Sequence, residues 1–387
     1  MLIHSIKLNN FLSFGDNAPP IPLDPLNIVI GPNGSGKSNL LAAIELLRNA
    51  PEQLLRPIRE GGGVRDWLWK GMEGTPTASL HVVVHNPNGR QNLRYQLSFT
   101  ARNQRFDIVD ESIECENPDD GHDAPDFYYR FNDGHPTLNV QGKKRALRHQ
   151  DVDPVKSILS QRRDPDQYPE ITYLARKLSD IKLYREWSFG RYTAPRLPQK
   201  ADLPNDMLEP DGSNLGLVLN HLRREPAVKQ RLLQALRALY DGIDDYDVHI
   251  ESGTVQVFLQ EGRFTIPATR LSDGTLRYLC LLAVLCHPSP PPLICIEEPE
   301  LGLHPDVLPT LADLMKDAAE RGQLIVTTHS DVLVDAMTDQ PESVLVAEKT
   351  DSGTTLKRLD AEKLHPWLAQ YRLGQLWTRG EIGGTRW

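Results

Sequence analysis

A mixed α/β fold, made of an antiparallel β lobe, an α/β lobe and a mainly helical insertion, is what this sequence predicts, and three observations predict it. Short apolar runs, "LNIVI" at 26–30, "LICI" at 293–296 and "LIVT" at 324–327, alternate with helix-forming segments, as strands buried on both faces do. Strict alternation at Leu80, Val82 and Val84, and again at Leu93, Tyr95, Leu97 and Phe99, marks antiparallel strands with one wet face. Between residues 141 and 250 the texture changes to helical pieces separated by Pro-rich breaks such as "YTAPRLPQKADLPNDMLEPDG". The expected organisation is a head formed by 1–140 and 251–387, interrupted by an insertion at 141–250.

Taken in order, residues 1–30 read as strands, and "NLLAAIELLR" at 39–48 as a strong helix. The alternating segments follow, extended by "RFDIVDESIEC" and "DFYYRF". In the insertion, "EITYLARKLSDIKLYREW" and "AVKQRLLQALRALY" read as helices without the sustained heptads of a long coiled coil. "DVHIES" and "TVQVFLQEGRF" alternate like a hairpin. Then come a helix at 275–286, a strand at 293–296, a helix at 305–319 and strands at 324–327 and 344–347. The tail "LGQLWTRGEIGGTRW" reads as a compact, non-helical end in which Trp377 and Trp387 either pack on the head or anchor a partner.

Composition removes several classes. Hydrophobic content of 39% and charged content of 25% suit an ordinary globular chain of 387 residues. A net charge of −9 argues against bulk coating of nucleic acid. The basic group Lys143, Lys144, Arg145 and Arg148 reads more simply as a solvated face. No window approaches ~18 uninterrupted apolar residues, so no membrane span is expected. The N-terminus lacks the apolar core of a signal peptide, which points to the cytoplasm. Cys115, Cys280, Cys286 and Cys295 have no metal-ligand spacing and read as free thiols in a reducing compartment.

The chemistry gathers in four places. "GPNGSGKS" at 31–38 follows a strand and precedes a helix, the context of a phosphate-binding P-loop. Gly31, Asn33, Gly34, Ser35, Gly36 and Asn39 shape a cradle of backbone N–H groups. Lys37 would reach the β and γ phosphates of ATP, and Ser38 would offer its hydroxyl to Mg²⁺. The strand before "EEPELGLHP" delivers Glu297 and Glu298 together, and adjacent strand residues point to opposite sides. Glu297 is assigned to the metal, directly or through water, and Glu298 to the catalytic base. The usual first residue is Asp; Glu reaches about 1.5 Å further, which leaves direct ligation open. His329 ends the strand 324–327, at the sheet edge where ligands of α/β folds collect, as a donor to the γ-phosphate. Ser272, Asp273 and Gly274 of "LSDGT" open the helix at 275 and form a second phosphate seat. One chain needs only one such seat, so the second is read as capping the nucleotide of another copy, giving an ATP-dependent homodimer.

Together "GPNGSGKS", "LSDGT", "CIEEPELGLHP" and "VTTHS" resemble ABC-type ATPase heads of the SMC/RecF class. In particular they resemble the AAA15/AAA_21 predicted ATPases, which share motifs with the OLD nucleases and with ATPases of anti-phage defence. The resemblance covers about 1–140 and 250–387. It implies a P-loop NTPase head that hydrolyses ATP, a signature loop acting in trans, here with Asp273 in place of a glycine, and a D-loop at "LGLHP". It also implies a setting in DNA repair or phage defence, with DNA or a separate nuclease-like effector as partner. "NNFLSFGD" resembles the segment near the adenine, so Phe11 is either a base contact or a core aromatic. The family's Q-loop glutamine has no clear counterpart in Gln91 or Gln96. OLD proteins carry a Toprim nuclease module after the head; Glu348 without a following Asp-x-Asp leads to the expectation of no nuclease in this chain. The rival readings are a regulatory protein that binds nucleotide with little turnover and a transporter's cytoplasmic ATPase subunit.

Overall fold

The run "LNIVI" has no exposed face because strand Leu26–Ile30 lies inside a six-stranded sheet. The order of that sheet is Lys182–Tyr184, Leu293–Glu297, Gln323–Thr327, Leu26–Ile30, Val344–Thr350 and Gly353–Arg358. The first five strands run parallel and the last antiparallel. Val29 shares a core with helix Lys37–Asn49 and the β lobe. Ile28 and Ile30 share the other core, with helices Asp273–Leu285 and Leu308–Arg321. One strand thus feeds two hydrophobic layers by simple alternation. This is a computed structural model, and it describes residues 1–87, 89–119, 121–132, 134–140, 143–148 and 151–384.

The β lobe is an eight-stranded antiparallel sheet that begins at Ile21–Pro22 and Ile3–Asn9 and ends at the exposed edge strand Lys143–Ala146. Buried Gln323 joins it to the central sheet: its Oε1 accepts from the Leu2 and Ile3 N–H groups at 3.2 and 2.9 Å, and its Nε2 donates to the Ile3 carbonyl at 2.7 Å. A fully buried amide must satisfy its donors and acceptors, and this one does so across 320 residues of sequence.

The predicted mixed α/β architecture is the one observed, with differences at particular elements. The helix expected at 275 starts at Asp273, because the Ser272 hydroxyl accepts from the Thr275 N–H at 3.0 Å and caps it. The helix expected at 305–319 divides into a 3₁₀ turn, Pro305–Val307, and helix Leu308–Arg321. The tail is not wholly non-helical: Leu373–Thr378 is a short helix, and its Trp377 is buried with Nε1 donating to the Gly384 carbonyl at 3.2 Å. Trp387 lies outside the described residues.

Residues 141–250 hold helices Ile158–Gln161, Pro169–Ser179, Leu215–Leu222 and Pro226–Leu239. They also give strand Lys182–Tyr184 to the central sheet and Asp245–Glu251 to a hairpin with Thr254–Glu261. "EITYLARKLSDIKLYREW" is therefore not one helix. It stops at Asp180, and its second half becomes the edge strand beside Leu293–Glu297. Helix Pro169–Ser179 buries Ile171, Leu174 and Leu178 in the core of helix Lys37–Asn49. Among the described residues no helix is long and apolar enough to cross a membrane. Cys280, Cys286 and Cys295 are buried and free, and burial pushes their thiols above the ordinary range.

Candidate active site

The phosphate loop owes its shape to close contact with the last two sheet strands. A Cβ on Gly36, at φ +102°, would sit 2.4 Å from Thr354 Oγ1, and one on Gly31 would sit 2.4 Å from the Ala347 carbonyl oxygen. Only glycine tolerates both the conformation and the proximity. Thr354 Oγ1 bridges Ser13 Oγ at 2.7 Å and the Ser35 carbonyl at 2.9 Å, so the loop is pinned from outside. Asn39 donates its amide to Ser13 Oγ at 2.7 Å, which leaves its side chain supporting the loop rather than pointing into it.

Lys37 is the first residue of its helix and is buried. Its ammonium donates to the Gly31 and Pro32 carbonyls at 2.7 and 3.1 Å. No carboxylate lies within ion-pair distance of it among the described residues. Burial pulls its pKa below the ordinary value, partly offset by Glu298, Glu297 and Glu300. A buried cation without a counter-charge, beside first-turn N–H groups that lack helical acceptors, is a cradle for an anion.

The acids diverge as strand geometry requires. Glu297 Oε1 accepts from Ser38 Oγ at 2.5 Å, while Glu297 Oε2 accepts from Arg185 Nε at 2.9 Å. Arg185 Nη1 also donates to Glu45 Oε2 at 2.9 Å, on the helix that carries Ser38. Glu298 takes φ +46°, a left-handed conformation that disfavours a side chain, and its N–H donates to the Thr327 carbonyl at 2.9 Å. Its carboxylate lies 3.5 Å from His329 Nε2. Burial, then the charge of Lys37, lower the His329 pKa, while Glu298 and Glu300 oppose them. Glu300 Oε1 accepts from the His329 N–H and from Thr328 Oγ1, both at 2.7 Å, and so holds the loop that presents the imidazole.

Lys37, Ser38, Glu297, Glu298 and His329 are thus brought to one sheet edge. The "LSDGT" residues are not joined to it: among the described residues no hydrogen bond or ion pair links 272–274 to 31–39. Asp273 instead pairs with Arg196 at 2.5 Å, a buried guanidinium that also donates to the Leu271 carbonyl at 2.5 Å. A Cβ on Gly274 would sit 2.4 Å from the Gly302 carbonyl oxygen, so the capping loop rests on the loop that follows the acids. Phe11 is a core aromatic and not a base contact; it is fully buried, edge-on to Trp67 and Phe99 with centroids 5.6 and 6.2 Å away. Gln91 and Gln96 are occupied by Asp119 and Asp110 in the β lobe. The place beside the acid strand belongs to Lys182–Tyr184 and then Arg185. Arg185, Glu45, Glu300 and Arg196 are the residues that sequence reasoning missed. Only Glu300, inside "EEPE", carried a local signal.

The residues fit Mg²⁺ with a nucleotide. A serine hydroxyl and a carboxylate oxygen converge on one point beside an anion cradle. Among the described residues there is no cluster of three or more His, Cys, Asp or Glu that could cage a metal alone. Mg²⁺ characteristically takes one or two protein oxygens and completes its shell with water and phosphate. A cleft of about 880 Å³ adjoins the loop, lined by Leu12, Ser38, Asn39, Trp67 and Arg185 among others.

The family model described as "AAA domain, putative AbiEii toxin, Type IV TA system" matches residues 26–335. Among solved structures, the chain is similar to the SmcHead bound to the C-winged helix domain of ScpA, with a TM-score of 0.59 and 16% identity over 94% of this chain and 99% of that one. It is similar also to the Smc head domain with an extended coiled coil bound to the C-terminal domain of ScpA from Pyrococcus furiosus, with a TM-score of 0.59 and 15% identity over 96% and 99%. The Smc head domain with a coiled coil and joint from Pyrococcus yayanosii gives a TM-score of 0.52 and 13% identity over 96% and 99%. At these identities the likeness establishes the P-loop NTPase fold of an SMC head. No curated protein matches the sequence.

Proposed function

The chain belongs to the AAA domain family matched by its residues 26–335, and from that premise we propose that it binds ATP with Mg²⁺, pairs with a second copy through the nucleotide, and hydrolyses it. The observation that carries this reading is the convergence of the buried Lys37 ammonium, the Ser38 hydroxyl and the Glu297 carboxylate at the mouth of one glycine loop. Lys37 and the loop N–H groups would bind the phosphates. Ser38 and Glu297 would hold Mg²⁺, which when bound would supply positive charge to neutralise the phosphates. Glu298 would accept a proton from the attacking water, and His329, oriented by Glu300, would donate to the γ-phosphate.

Among the described residues Ser272 and Gly274 make no hydrogen bond to their own chain's phosphate loop, and they open a helix whose positive end lies there. This favours their use on a partner's nucleotide. The negative charge of Asp273 would oppose an incoming phosphate, and its pairing with Arg196 offsets that charge. The ATP state would then be passed to DNA or to a separate nuclease-like effector, in DNA repair or phage defence. The family's description as a putative toxin of a type IV toxin–antitoxin system supports an effector setting.

Mixing two inactive variants tests the composite site. Lys37→Ala destroys the cradle and Ser272→Arg blocks the cap, so each alone should be inactive. Mixed, their heterodimers contain one site built from intact halves and should recover ATP turnover. If the mixture stays at the sum of the two backgrounds while Ser272→Arg lowers wild-type activity only by dilution, the two-subunit site is wrong.

A further inference from the structure

We infer that Arg185 is a positioning residue for Glu297, holding that carboxylate in register with Ser38 to receive a divalent ion; the inference rests on the ATPase reading above. Strand Lys182–Tyr184 pairs with the acid strand with Tyr184 opposite Ile296. Arg185 therefore leaves the strand level with Glu297. A glutamate at this position has one more rotatable bond than an aspartate, and its carboxylate needs a second anchor to occupy a single place. Arg185 Nε supplies it by taking Oε2 at 2.9 Å, and only Oε1 remains turned toward Ser38.

The anchor is itself anchored. Arg185 Nη1 holds Glu45 Oε2 at 2.9 Å on the phosphate-loop helix. One planar fork thus ties the edge strand, the acid strand and the helix bearing Ser38. The three side chains are 24%, 17% and 31% exposed, sheltered enough for the geometry to hold against solvent. A lysine could neutralise the two carboxylates but could not present two fixed donors in one plane. With no cation there, Glu45 and Glu297 would repel, and Oε1 would lose its aim.

The opposite role would be competition, with the guanidinium blocking the ion. The two roles predict opposite shifts in the Mg²⁺ requirement. The test measures binding of a fluorescent ATP analogue to the full-length protein by anisotropy, in EDTA and through a Mg²⁺ titration, beside thermal melting. Arg185→Met should bind the analogue in EDTA like wild type and melt near it. It should need roughly 10–100-fold more Mg²⁺ to reach half of the Mg²⁺-dependent gain, the usual cost of losing a partner behind a metal ligand. Arg185→Lys should recover part of the loss, and Glu45→Gln should shift the half-point in the same direction by less. An unchanged or lower half-point in Arg185→Met overturns the inference, the lower value meaning competition. If Arg185→Met does not fold, Arg185→Lys and Glu45→Gln decide in the same way. A wild type that binds no analogue under any condition brings down the ATPase reading and this inference with it. A wild type that binds, with variants unchanged in their Mg²⁺ half-point, brings down this inference alone.

Discussion

Glu298 is held at φ +46° at the end of the acid strand. A non-glycine residue in that region costs on the order of 1–3 kcal/mol and persists only where its surroundings impose it. Here the Thr327 carbonyl takes its N–H, and His329 lies beside its carboxylate. The conformation sets Glu298 beside His329 while Glu297 meets Ser38, which suits the proposed division between water and metal. Glu298→Gln keeps the size and the backbone and removes the proposed base. It should retain ATP binding, lose about 10²–10⁴-fold in turnover, and accumulate as an ATP-bound dimer visible by light scattering. Wild-type turnover in that variant would remove Glu298 from the role. At this scale the sequence was most readable where function is local. The glycine loop, the acid pair and the terminal histidine each sit in a few consecutive residues, so each could be read from local spacing. Arg185 and Arg196 were invisible because their partners, Glu297 and Asp273, lie 112 and 77 residues away, and no periodicity encodes such a pair.

Among the elements, the long apolar and alternating runs gave themselves away, and the very short ones did not. Lys182–Tyr184 has three residues, too few for alternation to register, and it follows a good helix former without a proline or glycine to warn of the change. Its strand character comes from the ladder it makes with Leu293–Glu297. The same dependence on distant partners governs helix Ile158–Gln161, whose start is clipped to the β lobe by buried Glu111. That carboxylate accepts from Ser157 Oγ at 2.5 Å, the Ile158 N–H at 2.9 Å and the Tyr95 hydroxyl at 2.9 Å. Burial pushes the Glu111 pKa up to about 7, against these three hydrogen bonds, which pull it down. An unfolded glutamate titrates near 4.5. Between those values the folded chain keeps a proton that the unfolded chain has lost, so the contribution of Glu111 to stability is full below about pH 4.5 and declines as pH rises through about 7. Glu111→Gln should therefore lose less melting temperature than wild type between about pH 5 and pH 8. Glu111→Ala should be destabilised at every pH, by roughly 3 kcal/mol or more, because three buried donors lose their acceptor. Equal pH slopes for Glu111→Gln and wild type would show that the group titrates normally.

Among the described residues the molecule has three sheets, of eight, six and four strands, and the stretch 141–250 is woven into their packing. It supplies the edge strand of the central sheet, the helix packed on the phosphate-loop helix, and one strand of the hairpin that precedes the capping loop. Replacing residues 141–250 with a short flexible linker should give insoluble or molten protein. A deletion that stayed monomeric, melted cooperatively and bound ATP would show instead that the stretch is a removable insertion. The order of strands in the central sheet has a further consequence, for how the chain is made. Strand Leu26–Ile30 emerges from the ribosome early, yet both of its neighbours, Gln323–Thr327 and Val344–Thr350, come near the end. At about 5–20 residues per second, the roughly 290 residues between them take about 15–60 s to synthesise. For that interval a strand with four apolar residues of five and two open edges waits without a partner, next to the glycine loop. The newborn chain should therefore depend on holding chaperones until its last fifth appears.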